Sequence, residues 1–215
     1  DFAACVTSSH FASAEKEFRF PLGYGNQRPL SASWTVTGSG AFILANAPSG
    51  HDRAMITGLT PGKIIDYGLR DSMNMGACMA PAACDTIAQN LVDFNREPAD
   101  YDRIVTGDLG VVGREILLEL LKKKGYDISE QHSDCGMLIF DPAKQDTGAG
   151  GSGCGCCAGV LCGYILPRIR TGEFQNVLFA ATGALMSPTL NQQGESIPSI
   201  SHAVWLSHRR GCPKN

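Results

Sequence analysis

Several things are scarce in this 215-residue sequence, and each scarcity excludes a class of protein. No uninterrupted apolar run approaches the roughly 20 residues that a bilayer core requires. The longest basic run is Lys122-Lys123-Lys124 and the formal net charge is −3, so no broad cationic face for nucleic acid is expected. Asp1-Phe2-Ala3-Ala4 lacks the basic segment that opens a signal peptide. There is no opening Met, and "FAACVTSS" reads as a strand already under way. The expectation is a fragment or a processed product.

Two residue types are plentiful instead: 25 glycines and nine cysteines. An odd cysteine count with no mark of export points to a reducing compartment and mostly buried thiols. Cys5, Cys78, Cys84, Cys135 and Cys162 stand in apolar segments, where a free thiol behaves as a small hydrophobe. Hydrophobic residues make up 43% and charged residues 18%, enough for a sizeable core in one large domain or two small ones.

Periodicity predicts the elements. "AACDTIAQNLVDFN" places Ala83, Ile87, Leu91 and Phe94 on one helical stripe. "GVVGREILLELLKKKG" does the same with Val112, Ile116 and Leu120; its lysines suit the helix C-terminal dipole and Gly125 the position just beyond it. "CCAGVLCGYILPRIR" is a third helix, which Pro167 should kink or shorten by removing the bond to the Gly163 carbonyl. "FASAEKEFRF" is a fourth candidate. Strands are read at "FAACVTS", "TVTGSGAFIL", "RAMITGL", "DRIVTG", "CGMLIFD", "NVLFAATG" and "SHAVWLS". From Arg53 onward strands alternate with helices, which predicts an α/β domain with crossover helices on a mostly parallel sheet. There is also an internal echo. "FAACVTSS", a polar loop and "SASWTVTGSGAFIL" match in kind "VLFAATGA", the loop "LMSPTLNQQGESIP" and "SISHAVWL".

The stretch "TGAGGSGCGCCAGVLCGYI", Thr147 to Ile165, carries the densest chemistry. Zinc would need a second ligand cluster beside Cys154-Gly155-Cys156-Cys157, and none is found, so no metal is assigned. A phosphate loop would end the glycine run on Lys-Ser/Thr, and no strand–GxGxxG–helix register fits a dinucleotide. Glycines ahead of a helix whose first N–H groups lack partners favour an anion instead.

The blocks "TSSHFASAEKEFRFPLGYGNQRPLSASWTVTGSGA", "NMGACMAPAACDTI", "DRIVTGDLGVVG", "GGSGCGCCAGVLCGYIL" and "VLFAATGALMSPTLNQQGESIPSISHAV" resemble the stage V sporulation protein AD family, in order and over nearly the whole chain. Only "WLSHRRGCPKN" resembles nothing placed. The resemblance implies the duplicated thiolase-like α/β fold of ketoacyl synthases. Residues 1–50 would end the N-terminal half, and residues 51–215 would form the C-terminal half. It further implies binding of dipicolinic acid (pyridine-2,6-dicarboxylate), with calcium, and its uptake into developing spores. Such a protein would sit peripherally at the spore inner membrane, beside membrane proteins of the same operon, and would be a homodimer at full length.

Condensing enzymes of this fold need a cysteine nucleophile at a helix N-terminus and a His, with a second His or an Asn, for the oxyanion and the proton. By fold order the nucleophile's helix precedes "FAACVTSS". The His position after "DRIVT" holds Gly107-Asp108-Leu109-Gly110, and the Asn loop becomes Gly150 to Cys156. A non-catalytic protein is therefore expected, the alternative being an active acyl-transferring condensing enzyme. The expected dicarboxylate site is Asp108, Gly151, Ser152, Gly153, Cys154 and Gly155, with His10. His10 either lines the pocket or is a structural hydrogen-bonder. Asp108 either meets the ligand, through calcium, or caps the helix near Gly110. "MGACMAP" reads as core packing and "NQQGESIP" as a solvated loop or dimer edge.

Overall fold

The computed structural model describes residues 1–13, 28–46 and 53–209. Their chain order is β1 (Phe2–Ser9), β2 (Trp34–Thr35), β3 (Gly38–Ala45), β4 (Arg53–Thr60), α1 (Met75–Asp93), β5 (Arg103–Thr106), α2 (Gly110–Lys123), β6 (His132–Asp134), α3 (Cys135–Leu138), β7 (Gly151–Ser152), α4 (Cys154–Val160), α5 (Leu166–Thr171), β8 (Asn176–Ala184), α6 (Pro188–Gln192) and β9 (Ser199–Arg209). From residue 14 onward the helical reading of "FASAEKEFRF" falls outside the described residues.

Five strands form the main sheet in the order β4-β9-β8-β5-β6. Period-2 alternation puts successive side chains on opposite faces. Ile104 and Leu178 therefore join a core against α1 and α2 that holds Ile87, Leu91, Tyr101, Leu117 and Leu121. Val105, Val177 and Phe179 point the other way, to Cys156, Ile165 and Ile169 of the α4–α5 layer. α4 in turn packs on β1 and β3, which pair antiparallel from Phe2 with Ala45 to Ser9 with Gly38. The layers thus run α1/α2, main sheet, α4/α5, β1–β3.

The echo in the sequence is structural. β8 and β9 pair antiparallel just as β1 and β3 do. Four of the five strands run one way, as a mostly parallel sheet requires: β5 is parallel to β6 and β8, and only β9 is reversed, lying antiparallel to both β8 and β4. Two expectations need correction. "CGMLIFD" is not a strand. The strand is the three residues before it, and Cys135 begins the short helix α3. α1 starts eight residues before Ala83, the first residue of the predicted stripe, and there the Asn74 side chain accepts the Ala77 N–H at 3.2 Å. Pro81 falls inside it. Gly76 lets this first turn approach α2, since a Cβ there would lie 2.3 Å from the Leu109 carbonyl oxygen.

Pro167 acts as its missing N–H requires. A wide five-residue turn, Leu161–Ile165, separates α4 from α5 and places the proline in the first turn of α5. Among the cysteines, Cys78, Cys84, Cys135 and Cys156 are buried, Cys5, Cys157 and Cys162 half-buried, and Cys154 exposed; all eight described are free thiols. Cys5 and Cys162 are therefore less covered than their apolar settings suggested.

Candidate functional site

The strand Trp34–Thr35 positions the glycine-rich stretch. It pairs parallel with Gly151–Ser152, extended by Trp34 N–H to the Gly150 carbonyl at 2.8 Å and Val36 N–H to the Ser152 carbonyl at 2.9 Å. Gly148, Gly150 and Gly153 have φ of +57°, +125° and +97°, conformations that L side chains rarely adopt. Gly153 delivers the chain to α4.

At that junction a cavity of about 720 Å³ opens between β1, β8, α1 and α4. Phe42, Met75, Met79, Leu161 and Phe179 give it apolar walls. Thr7, Ser9, Ser33, Thr35, Ser72, Ser152 and Thr182 bring hydroxyls. Among the described residues of this lining, Asp108 is the one ionised side chain, and none is Lys, Arg, His or Asn. A second cavity of about 560 Å³ shares Phe42, Leu161, Phe179 and Val204 with the first, and carries Arg53 and Arg170.

Four of the seven expected residues, Asp108, Ser152, Gly153 and Cys154, line the first cavity. Gly151, Gly155 and His10 do not. A Cβ on Gly151 would meet Ile139 at 2.5 Å and Val36 at 2.9 Å, so this glycine serves packing. One on Gly155 would lie 2.3 Å from the Gly38 carbonyl oxygen, so Gly155 sets the distance between α4 and β3. His10 is exposed beyond the end of β1.

Two of the amides at the start of α4 are taken up by the protein itself. Gly153 N–H donates to Asp108 Oδ2 at 2.8 Å, and Gly155 N–H donates to Ser9 Oγ at 3.0 Å. Asp108 also accepts the Thr182 hydroxyl at 2.9 Å. Burial pushes the Asp108 carboxyl up to about 6, against the Gly153 N–H that lowers it; the nearby Asp134 raises it further.

Asp108 does not cap α2. Asp134 does, accepting Leu109 N–H at 2.9 Å and Gly110 N–H at 3.0 Å. Its Oδ2 also accepts the Thr106 hydroxyl at 2.6 Å. Thr106 Oγ1 therefore accepts from His132 Nε2 at 3.0 Å, which fixes the tautomer. Burial drives His132 down to about 4, so it is neutral at physiological pH. Burial raises Asp134 too, opposed by the Thr106 hydroxyl and three backbone N–H groups. Sequence reading missed Asp134 because it stands 24 residues from the amide it caps.

Among the described residues, no group of three or more His, Cys, Asp or Glu side chains converges as a metal site. No described helix is long and apolar enough to cross a membrane. Burial raises the Cys156 thiol, and Asp108 and Asp134 add to it, so Cys156 is an inert core thiol.

This architecture is the thiolase-like fold of condensing enzymes. The chain superposes on a tetronic acid condensing enzyme, AbyA1, with a TM-score of 0.54 at 14% identity, covering 96% of this chain and 59% of that one. It superposes on the 3-oxoacyl-[acyl-carrier-protein] synthase III of Aquifex aeolicus VF5 with a TM-score of 0.50 at 11% identity, covering 96% and 57%. Within that fold class the chain belongs to the stage V sporulation protein AD family, whose model matches residues 1–207. It is 48% identical over 209 residues to the Stage V sporulation protein AD of Bacillus subtilis (strain 168). The match covers 97% of this chain and 61% of that relative, so the chain spans less than two thirds of the relative's length.

Proposed function

We propose that the protein binds dipicolinic acid without transforming it, and serves its uptake, with calcium, into developing spores. The observation that carries this reading is the character of the 720 Å³ cavity, which joins aromatic and methionine walls to a set of hydroxyls around one carboxylate. Apolar walls suit the faces of a flat pyridine ring, and hydroxyls suit its carboxylate edges. Among the described residues, the lining offers no cationic side chain to a dianion. Calcium supplies the missing charge: it neutralises the two ligand carboxylates and takes an oxygen of Asp108, whose lone pairs are only partly used by Gly153 and Thr182.

Support for a non-catalytic role is that the described residues of this lining include no His or Asn. The rival reading, an acyl-transferring condensing enzyme, has the fold in its favour. We further propose a peripheral position at the spore inner membrane, beside membrane proteins of the same operon, with no nucleic-acid partner. Residues 1–50 would belong to one half of the duplicated fold and residues 51–215 to the other. A full-length homodimer would cover apolar side chains such as Val6 and Ile43, which are 73% and 71% exposed here.

The test is calorimetric titration of the full-length protein with dipicolinate, with and without calcium. Asp108→Ala is expected to weaken binding more with calcium than without. Equal weakening in both conditions would remove calcium from the role given to Asp108. Binding unaffected by Asp108→Ala and lost in Arg170→Ala would move the ligand to the neighbouring cavity. No binding in either condition would overturn the reading.

A further inference from the structure

Cys154-Gly155-Cys156-Cys157 has a spacing the dicarboxylate reading leaves unused. Residues three apart on a helix share a face, and their Cα atoms lie about 5 Å apart, inside the range a disulfide spans. The structure sorts the three thiols accordingly. Cys154 and Cys157 both face the cavity, while Cys156 between them is buried in the core. Cys154 is the first residue of α4 and the exposed member of the three. Cys157, half-buried, stands one turn deeper, near the buried Cys135, whose thiol it pushes up. An exposed cysteine at a helix start followed by a less exposed one three residues on is the arrangement of an attacking and a resolving thiol.

We propose that Cys154 and Cys157 are a reversible redox dithiol on the cavity wall, closing to an intrachain disulfide by exchange with a small-molecule disulfide. Cys154, the accessible one, gives its proton to solvent and attacks one sulfur of the external disulfide R–S–S–R. That S–S bond breaks, and one RS⁻ leaves and takes up a proton. The Cys157 sulfur, its own proton lost, attacks Cys154 in the mixed disulfide and expels the second RS⁻. Two protein thiols are oxidised and one external disulfide is reduced to two thiols. In the reduced state Cys154 Sγ donates to the Ser8 carbonyl at 2.9 Å. Closure breaks that contact between α4 and β1, so the redox state alters the cavity's rim. Gly153, the glycine before Cys154, gives the first turn the backbone freedom to bring the two sulfurs together.

The inference is independent of what the cavity binds, and its test uses no cavity ligand. The full-length protein is equilibrated in glutathione buffers of rising oxidised fraction, quenched by alkylation, and read by intact mass and peptide mapping. Wild type is expected to lose two hydrogen masses, retain no glutathione, and yield one cross-linked peptide joining Cys154 to Cys157. Cys156→Ser and Cys135→Ser should close as wild type does. Cys157→Ser should hold one glutathione on Cys154, because no thiol remains to resolve it. Far-ultraviolet dichroism confirms that each variant is folded. The proposal is overturned if folded wild type keeps a stable glutathione adduct on Cys154, if the bridge maps to Cys135 and Cys157, or if both thiols stay reduced throughout the series.

Discussion

Asp108 and Thr182 hold each other twice. The Asp108 N–H donates to Thr182 Oγ1 at 3.2 Å, and the same hydroxyl donates to Asp108 Oδ1 at 2.9 Å. This pair ties the turn after β5 to β8. The remaining carboxylate oxygen reaches across the cavity edge to Gly153 at the start of α4. One carboxylate therefore sets the relative positions of three cavity walls.

Thr182→Val should loosen this edge. It leaves the Asp108 N–H and one carboxylate oxygen without the hydroxyl, at a cost of about 1–3 kcal/mol. Chemical denaturation of the full-length protein checks the magnitude. Thr182→Ser, which keeps the hydroxyl, should lose less.

The protonation of Asp108 should be visible in stability. Its folded value, about 6, lies above the ordinary 3.8, so between these values the folded state binds more protons than the unfolded state. The neutral form's advantage is fully present below pH 3.8 and is lost as pH rises through about 6. Compared with Asp108→Asn, wild type should lose up to roughly 3 kcal/mol across this window and change little above it. Urea titrations of both proteins at pH 4, 5, 6 and 7.5 measure the difference; parallel curves would show that the carboxyl titrates normally.

Gly153 and Gly155 should fail differently when replaced by alanine. Gly153→Ala presses the Ser9 side chain, 3.1–3.2 Å from the added Cβ, and keeps a φ of +97°, a strain of about 1–2 kcal/mol. Gly155→Ala drives a methyl to within 2.3 Å of the Gly38 carbonyl oxygen and separates α4 from β3, at about 1–3 kcal/mol or more. Gly155→Ala is therefore expected to lower the melting temperature and, if the proposed dipicolinate binding holds, to leave the titration of the folded protein unchanged. Differential scanning calorimetry paired with titration separates the two effects.

Asp134→Ala should be among the costlier single changes. It strips the cap from α2, leaves the Leu109 and Gly110 amides without their acceptor in the core and takes from the Thr106 hydroxyl its shortest partner. A loss of about 2–4 kcal/mol follows. Thr106→Val should cost less, because the cap amides keep their carboxylate.

No turnover with acyl-CoA substrates is expected from the full-length protein under thiolase or ketoacyl synthase assays. Robust condensation that disappears on replacing a single cysteine would make the protein an enzyme after all.

Long periodic segments needed nothing but the sequence. The stripe of Ala83, Ile87 and Leu91 stated both its element and its buried side, because burial repeats with the geometry of the helix. For α2 the element was legible but not its buried side: Val112, Ile116 and Leu120 are half-buried, and Gly113, Leu117 and Leu121 face the core. The repeated strand–loop–strand unit was legible as well. Of the seven expected site residues, placed through the family resemblance, the fold brings Asp108, Ser152, Gly153 and Cys154 to the cavity and leaves Gly151, Gly155 and His10 outside it. "CGMLIFD" was not, because a short apolar run fits strand or helix equally. Tertiary packing decided it: Gly136, in the short helix there, lies where a Cβ would be 2.2 Å from the Gly151 carbonyl oxygen, and Asp134 just before it is committed to capping α2. The occupancy of the α4 amides was likewise beyond local pattern. Asp108 reaches Gly153 across 45 residues and Ser9 reaches Gly155 across 146. A local motif says that a helix start favours an acceptor; only the folded chain says that its own side chains already supply it.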